Sequence, residues 1–316
     1  MTSLMNGHSK VSGPPPTHLF RLFGTNRGRY GDLNQDQVWQ ELSEDVELNF
    51  SCKLGSWLTS MTAEELREMA RNRSAAALLR ALYEKEAEAD NASHIFVKEN
   101  HTYSFAPFLL SGFPDCLFVF LTRDPRDVAK SWVRTVSIPG GVEKAVDVWS
   151  RDQAAALDLA DQLTDSGRGL VVRYEDLIAD TPATLQRVTA HLGLKYEEEM
   201  LQFNEDRRTR ANAERIDAWA NLQKPVISDN AGKYRDVLSE ADQRYVELAC
   251  GPLMKRLGYS CDLETESPEE TELGARLDAL RPDLNPGGYE IPTAEEQAIR
   301  EKRLAAIHRV LDRRPR

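Results

Sequence analysis

Three short apolar runs in this 316-residue chain each end in polar, mostly charged residues. Ile95-Phe96-Val97 exits into Lys98-Glu99-Asn100-His101, Cys116 to Leu121 into Thr122-Arg123-Asp124-Pro125-Arg126, and Leu170 to Val172 into Arg173-Tyr174-Glu175-Asp176. If the runs are strands of one parallel sheet, their exits lie along one edge, and Lys98, Arg123 and Tyr174 converge despite their distance in sequence. Arg123 stands just ahead of a helix opened by Pro125. Free backbone N–H groups, the positive end of the helix dipole and a guanidinium together suit a phosphate. Ser131 adds a hydroxyl two turns along. Taken alone, Arg123 to Arg126 reads equally well as a solvated turn with an Asp cap.

The elements that must position these residues alternate. Thr62 to Glu65 is a capping box opening a helix through Met69, and a second helix spans about Ser74 to Ala89. Tyr103 to Leu110 suits a brief helix between the first two apolar runs. Val142, Ala145, Val146, Trp149, Ala156, Leu157 and Ala160 mark one face of a long helix before the third. Thr181 and Pro182 then supply an N-cap and a first-turn proline for a helix stopping at Gly193. The βαβαβα order predicts an α/β fold, a three-layer parallel sheet with helices on both faces. Ser239 caps a helix from Ala241 to Leu257. Asp262 to Glu272 is an acidic connector, and a capping box at Thr293 to Glu296 starts a charged helix to about Leu311, with Leu304, Ile307 and Leu311 as its apolar stripe. This helix is expected to pack on the body or on another subunit, a route to a homo-oligomer. The division expected is an irregular segment over 1–35, an α/β domain over 36–260, and connector plus helix over 261–316.

Composition narrows the function. Forty basic against 51 acidic side chains give a formal charge of −11, which argues against a nucleic-acid surface and leaves any anion site to a local Arg/Lys cluster. No apolar run approaches the roughly 20 residues of a membrane span, and Met1 to Lys10 reads as no secretory signal, so a cytoplasmic location is expected. Cys52, Cys116, Cys250 and Cys261 lack paired spacing and read as reduced thiols. There is no His-Glu-x-x-His, no Gly-x-Ser-x-Gly and no Walker A sequence, which leaves little for zinc hydrolase, serine hydrolase or kinase readings.

The segment Leu121-Thr122-Arg123-Asp124-Pro125-Arg126-Asp127-Val128-Ala129-Lys130-Ser131 closely resembles the 3′-phosphate-binding segment of the sulfotransferase family, whose donor is 3′-phosphoadenosine 5′-phosphosulfate (PAPS). Val172 to Leu177, Asp180-Thr181-Pro182, His191 to Leu194, Phe113-Pro114-Asp115, Gly232-Lys233-Tyr234-Arg235, Gly251 to Met254 and Leu257-Gly258-Tyr259 extend the resemblance over about residues 95 to 260. It implies a P-loop NTPase-like sulfotransferase architecture of the broad bacterial and carbohydrate-type branch. The reaction implied moves a sulfuryl group from PAPS to a hydroxyl or amine of a small-molecule, saccharide or lipid acceptor, without a metal. By the same resemblance Arg123 and Ser131 hold the 3′-phosphate, Tyr174 lies near the adenine, Lys98 faces the sulfuryl group or its bridging oxygen, and Lys233 and Arg235 close over the donor. His101 or Glu99 is the candidate base, His101 standing one residue later than the family's usual histidine. Trp57, Leu58, Trp132 and Trp219 are candidates for an acceptor pocket, or simply core.

One departure is large. The family's first strand and phosphate-cradling loop, Pro-Arg/Lys-Ser-Gly-Thr-Thr, have no match, and Met5 to Ser9 and Thr17 to Phe20 resemble segments that follow it. The first strand is therefore expected to be missing and donor binding by the chain as written to be weak. A rival is that Phe23 to Arg29 is a degenerate version of that loop. The alternatives to a working transferase are a non-catalytic or truncated sulfotransferase-like protein and a P-loop nucleotide-binding, kinase-like protein.

Overall fold

The computed structural model describes residues 1–134, 140–262 and 294–314. In chain order its longer elements are α1 (Thr2–Asn6), β1 (Val11–Ser12), α2 (Leu19–Asn26), α3 (Asp36–Ser51), α4 (Ala63–Met69), α5 (Ala75–Ala89), β2 (His94–Ile95) and α6 (Ala106–Gly112). There follow β3 (Phe118–Thr122), α7 (Pro125–Arg134), α8 (Gly141–Asp165), β4 (Gly169–Arg173), α9 (Tyr174–Ala179) and α10 (Thr181–His191). The last are α11 (Arg207–Arg215), α12 (Glu240–Arg256) and α13 (Ala294–Leu311). By contacts the chain divides into two compact units, each discontinuous in sequence: 1–116 with 193–225 and 292–316, and 117–192 with 226–291.

In the first unit β1 and β2 run parallel, Val11 opposite His94 and Ser12 opposite Ile95. The apolar run Ile95 to Val97 therefore forms a strand only at its start. Beyond it, the Phe96 N–H still reaches the Ser12 carbonyl at 2.8 Å. The capping box at α4 is present in both directions, Thr62 accepting from the Glu65 N–H and Glu65 accepting from the Thr62 N–H, and Ser74 caps α5 through the Ala77 N–H. The core is built from Phe23, Leu42, Val46, Leu66, Leu78, Leu79 and Leu82, all fully or almost fully buried; each such side chain contributes about 1.5–3 kcal/mol. Phe23 to Asn26 belongs to α2 and Arg27–Arg29 to a 3-10 turn, which corrects the reading of Phe23 to Arg29 as a phosphate loop, because no strand feeds it.

α13 docks on this unit by a face the apolar stripe does not predict. Ala306 and Val310 are buried, whereas Leu304 is 56% and Leu311 38% exposed. The rotation follows from charge: Arg309 and Arg313 each reach the buried Asp45 of α3 at 2.7 Å, and the Tyr30 hydroxyl donates to the same carboxylate at 2.8 Å. A buried carboxylate must be paired, and these arginines pair it. The proposed capping residue Thr293 lies outside the described residues, as does the connector beyond Asp262.

In the second unit β3 and β4 pair in parallel over five residues, Phe118 opposite Gly169 and Thr122 opposite Arg173. The predicted stripe of α8, Val142, Ala145, Val146, Trp149, Leu157 and Ala160, is buried but for an intermediate Ala156, and most of it clusters with buried residues of α12. α12 opens as the sequence indicates, Ser239 Oγ accepting from the Asp242 N–H at 3.1 Å. The cap of α10 differs: Asp180 accepts from the Ala183 N–H at 3.0 Å, while the Thr181 hydroxyl donates back to the Leu177 carbonyl at 2.7 Å. A carboxylate one residue earlier is the better acceptor, so proline sits in the first turn and threonine is released from capping.

Candidate functional site

Because β3 and β4 finish in register, Arg123 and Tyr174 leave the strand pair side by side. The Arg123 guanidinium carbon lies 4.4 Å from the centroid of the Tyr174 ring, a cation–π stack that fixes its plane. One terminal nitrogen of Arg123 donates to the Asn230 carbonyl at 2.8 Å, and the Asn230 side-chain amide donates to the Tyr174 hydroxyl at 2.8 Å. Trp149 Nε1 donates to the Arg123 carbonyl at 3.0 Å. Arg123 Nε, by contrast, is buried without a hydrogen-bond partner. A guanidinium held by a ring stack and one carbonyl, with its buried Nε unmet, can take an anion with acceptor oxygens, because an unmet buried donor is costly.

The neighbouring charges serve the scaffold. Asp124 accepts from the backbone N–H of Arg126 at 2.8 Å and from its side chain at 2.7 and 3.0 Å. Arg126, 3% exposed, also donates to Glu247 at 2.6 Å. Glu175 accepts from the Asp124 N–H at 2.9 Å and from the Tyr259 hydroxyl at 2.8 Å. Burial, the Glu175 charge and that hydrogen bond push the tyrosine's pKa upward. Asp127 is fully buried and accepts from the N–H groups of Gly232, at 2.7 Å, and Tyr234, at 3.0 Å. It thereby ties the 3-10 turn Lys233–Asp236 to α7. Gly232 adopts φ +72° there, a left-handed conformation that favours glycine.

Of the other residues predicted here, Ser131 is exposed on α7, its hydroxyl making no hydrogen bond among the described residues. Lys233 pairs with Asp229 at 3.3 Å. Arg235 pairs with Asp262 and lies 4.5 Å over the Tyr234 ring. No bond joins Lys233 or Arg235 to Arg123 or Tyr174. Asn230 and Asp127 are the residues that sequence reasoning missed; the Asp127 in the quoted motif was a visible signal, whereas Asn230 meets partners 107 and 56 positions away.

In the first unit Lys98 follows β2 and lines a cavity of about 230 Å³ with Thr2, Ser3, Asn6, Arg208 and Trp219. Its ammonium has no hydrogen-bond or ion-pair partner among the described residues. Burial pulls its pKa below the usual lysine range, an effect the Glu99 charge opposes and Arg21 reinforces. Arg208 is committed, to Asn6 at 2.7 Å, Asp90 at 2.9 Å and Glu86 at 3.3 Å. Glu99 accepts from His18 Nδ1 at 2.9 Å and from the Phe20 N–H at 3.2 Å, anchoring the start of α2. His101 has φ +56° and its Nδ1 lies 3.1 Å from the Tyr103 hydroxyl; no bond joins it to Lys98. Trp57 is a packing residue, edge-on to Phe50 and Tyr83, so of the predicted acceptor-pocket residues Trp219 is the one that shares the lysine's cavity.

The sequence model of the Sulfotransferase family matches residues 1–198. The chain belongs to this family. Carbohydrate sulfotransferase 2 of Homo sapiens is 29% identical over 173 residues, covering 50% of this chain and 32% of the relative. Omega-hydroxy-beta-dihydromenaquinone-9 sulfotransferase Stf3 of Mycobacterium tuberculosis is 32% identical over 111 residues, covering 31% of this chain and 28% of that one. Protein-tyrosine sulfotransferase A of Caenorhabditis elegans is 26% identical over 185 residues, 54% of this chain and 46% of the relative. The matches thus span 28% to 46% of the length of these curated relatives. Among solved structures, the sulfotransferase domain of the Synechococcus PCC 7002 olefin synthase superposes with a TM-score of 0.57 at 20% identity, covering 82% of this chain and 89% of that one. The α/β sulfotransferase fold read from the sequence is therefore the observed one, here helix-rich with parallel strand pairs. No described helix is long and apolar enough to cross a membrane, and among the described residues no group of three or more His, Cys, Asp or Glu side chains could hold a metal ion.

Proposed function

We propose that this sulfotransferase-family chain moves the sulfuryl group of PAPS to a hydroxyl or amine of a small-molecule, saccharide or lipid acceptor. The observation that carries the reading is the buried, unpartnered Nε of Arg123 on a guanidinium already stacked on Tyr174. The donor set fits PAPS: a stacked guanidinium for the 3′-phosphate, the exposed Ser131 hydroxyl of α7, the helix that follows Arg123, and an aromatic ring for the base. When bound, PAPS supplies an activated sulfuryl group on a phosphate leaving group. Arg123 binds and orients the nucleotide end. Lys98, an ammonium with no hydrogen-bond or ion-pair partner among the described residues, supplies positive charge where negative charge develops on a leaving oxygen. Sulfuryl transfer otherwise asks the protein for positioning. Lys233 and Arg235 stand further from this role, since each already has a carboxylate.

His101 is the residue proposed to accept the acceptor's proton, because Glu99 is occupied by His18 and the Phe20 N–H and an imidazole has the better intrinsic pKa. The sulfotransferase names of the relatives support transfer to diverse acceptors and leave the acceptor open. The test is transfer of labelled sulfate from PAPS to a panel of phenols, saccharides and long-chain alcohols. Transfer that disappears in Lys98→Ala supports the proposal; a chain that transfers to none of them while binding PAPS tightly overturns it in favour of a non-catalytic role.

A further inference from the structure

α13 lies beyond the residues matched by the family model, yet it delivers a cation to the start of α2, within reach of the Glu99 charge. The Arg303 terminal nitrogen donates to the Thr17 carbonyl at 3.0 Å. The adjacent residue, His18, holds Glu99 at 2.9 Å, and Glu99 is the neighbour of Lys98 in sequence. Arg21, one turn into the helix that Glu99 anchors, has no side-chain partner among the described residues. Among the described residues the Arg303 side chain bonds the Thr17 carbonyl and no other group. Lys98 and Arg303 each feel the Glu99 charge, and Arg21 acts on both; that carboxylate already accepts two hydrogen bonds, from His18 and from the Phe20 N–H. Burial pulls the Arg303 pKa down, with Glu99 opposing and Arg21 and Arg300 reinforcing the shift. A fixed guanidinium excess of this kind is unfavourable until an anion neutralises it.

We infer that Arg303 and Arg21 form an anion-recognition site for the acceptor, so that this chain selects acceptors carrying an acidic group, a carboxylate or an existing sulfate, beside the hydroxyl to be sulfated. The inference rests on the sulfuryl-transfer reading, in which Lys98 serves the transferring group and the two arginines are left for the acceptor. Arg303 is half-buried and backbone-tethered, so its planar fork is pre-organised for a carboxylate or sulfate. The terminal helix is then part of the substrate site, held in place by its ion pairs to Asp45.

The experiment titrates the full chain, loaded with 3′-phosphoadenosine 5′-phosphate (PAP), with two matched pairs: 4-hydroxyphenylacetate against 4-hydroxyphenylacetamide, and glucuronate against glucose. At least one charged member is expected to bind about tenfold or more tighter than its neutral partner. Arg303→Ala should abolish that preference, Arg303→Lys should restore part of it, and PAP affinity should stay within about twofold in both. Equal binding of charged and neutral members by the wild-type chain overturns the inference. So does a loss of PAP affinity in Arg303→Ala, which would assign the arginine to the donor. Should Arg303→Ala fail to fold, Arg21→Ala with the same readout takes its place. Selective binding of a charged member without any sulfate transfer would leave the anion site standing while refuting the transferase reading.

Discussion

Asp127→Asn is the substitution whose consequence follows most directly from the geometry. The two carboxylate oxygens of this buried residue accept separate backbone N–H groups, Gly232 at 2.7 Å and Tyr234 at 3.0 Å. Asparagine keeps one acceptor and turns an NH₂ toward the other N–H, so one charge-assisted hydrogen bond is lost and one donor is left facing a donor. With such bonds worth about 1.5–3 kcal/mol and an unmet buried donor about 1–3, relieved in part by removing a buried charge, the expected cost is about 2–4 kcal/mol. The loss should be local. The turn Lys233–Asp236 is tethered at its start by Asp127, and Asn230, two residues before Gly232, fixes both Arg123 and Tyr174. Amide hydrogen exchange at Gly232 and Tyr234 should accelerate well beyond that of the β3 amides, and PAP affinity should fall with it. Unchanged exchange at those two amides would refute the assignment of Asp127 as the tether.

Three other outcomes are expected. Lys98→Met should change unfolding stability by no more than about 0.5 kcal/mol, because the side chain is exposed and has no hydrogen-bond or ion-pair partner among the described residues, while transfer falls by about 100-fold or more; a large loss of stability would show that the ammonium is paired. Because burial lowers the folded-state pKa of Lys98 below 10.5, its charge is lost as pH rises through that lowered value. Donor affinity should therefore weaken on the alkaline side in the wild type but not in Lys98→Met, as read by titration of PAP over that range. Asp262 is held below its ordinary 3.8 by Tyr234, Arg126 and Arg235 against the opposing effect of burial. Its contribution to stability is present above the unfolded value and disappears as pH falls through the folded one; acid unfolding of Asp262→Asn should lack that part of the wild-type profile.

The sequence made the second unit legible because its signals are local. Short apolar runs mark β3 and β4, Pro125 opens α7, and the equal reach of two parallel strands predicts that Arg123 and Tyr174 meet, which they do at 4.4 Å. What it concealed depends on partners distant in the chain. Asp229, four positions before Lys233, is a local partner in plain view, but nothing near Arg235 announces that Asp262 neutralises it. Asn230 carries no motif, and its role appears only when its two hydrogen bonds close on residues of other strands' exits. The docking face of α13 was misread because periodicity weighs Leu304 and Leu311 above alanine, whereas buried Asp45 draws Arg309 and Arg313 inward and leaves those leucines exposed. In the same way Glu99 looks like a base beside Lys98 until His18 and the Phe20 N–H are seen to occupy it.

The measurement that bears most directly on the account compares PAP with adenosine 5′-monophosphate, two ligands that differ only in the 3′-phosphate, by calorimetry on the wild type and Arg123→Ala. The wild type should bind PAP about tenfold or more tighter than the monophosphate, and Arg123→Ala should bind the two alike. Equal affinities in the wild type, or a preference that survives the substitution, would contradict the assignment of Arg123 to a nucleotide 3′-phosphate.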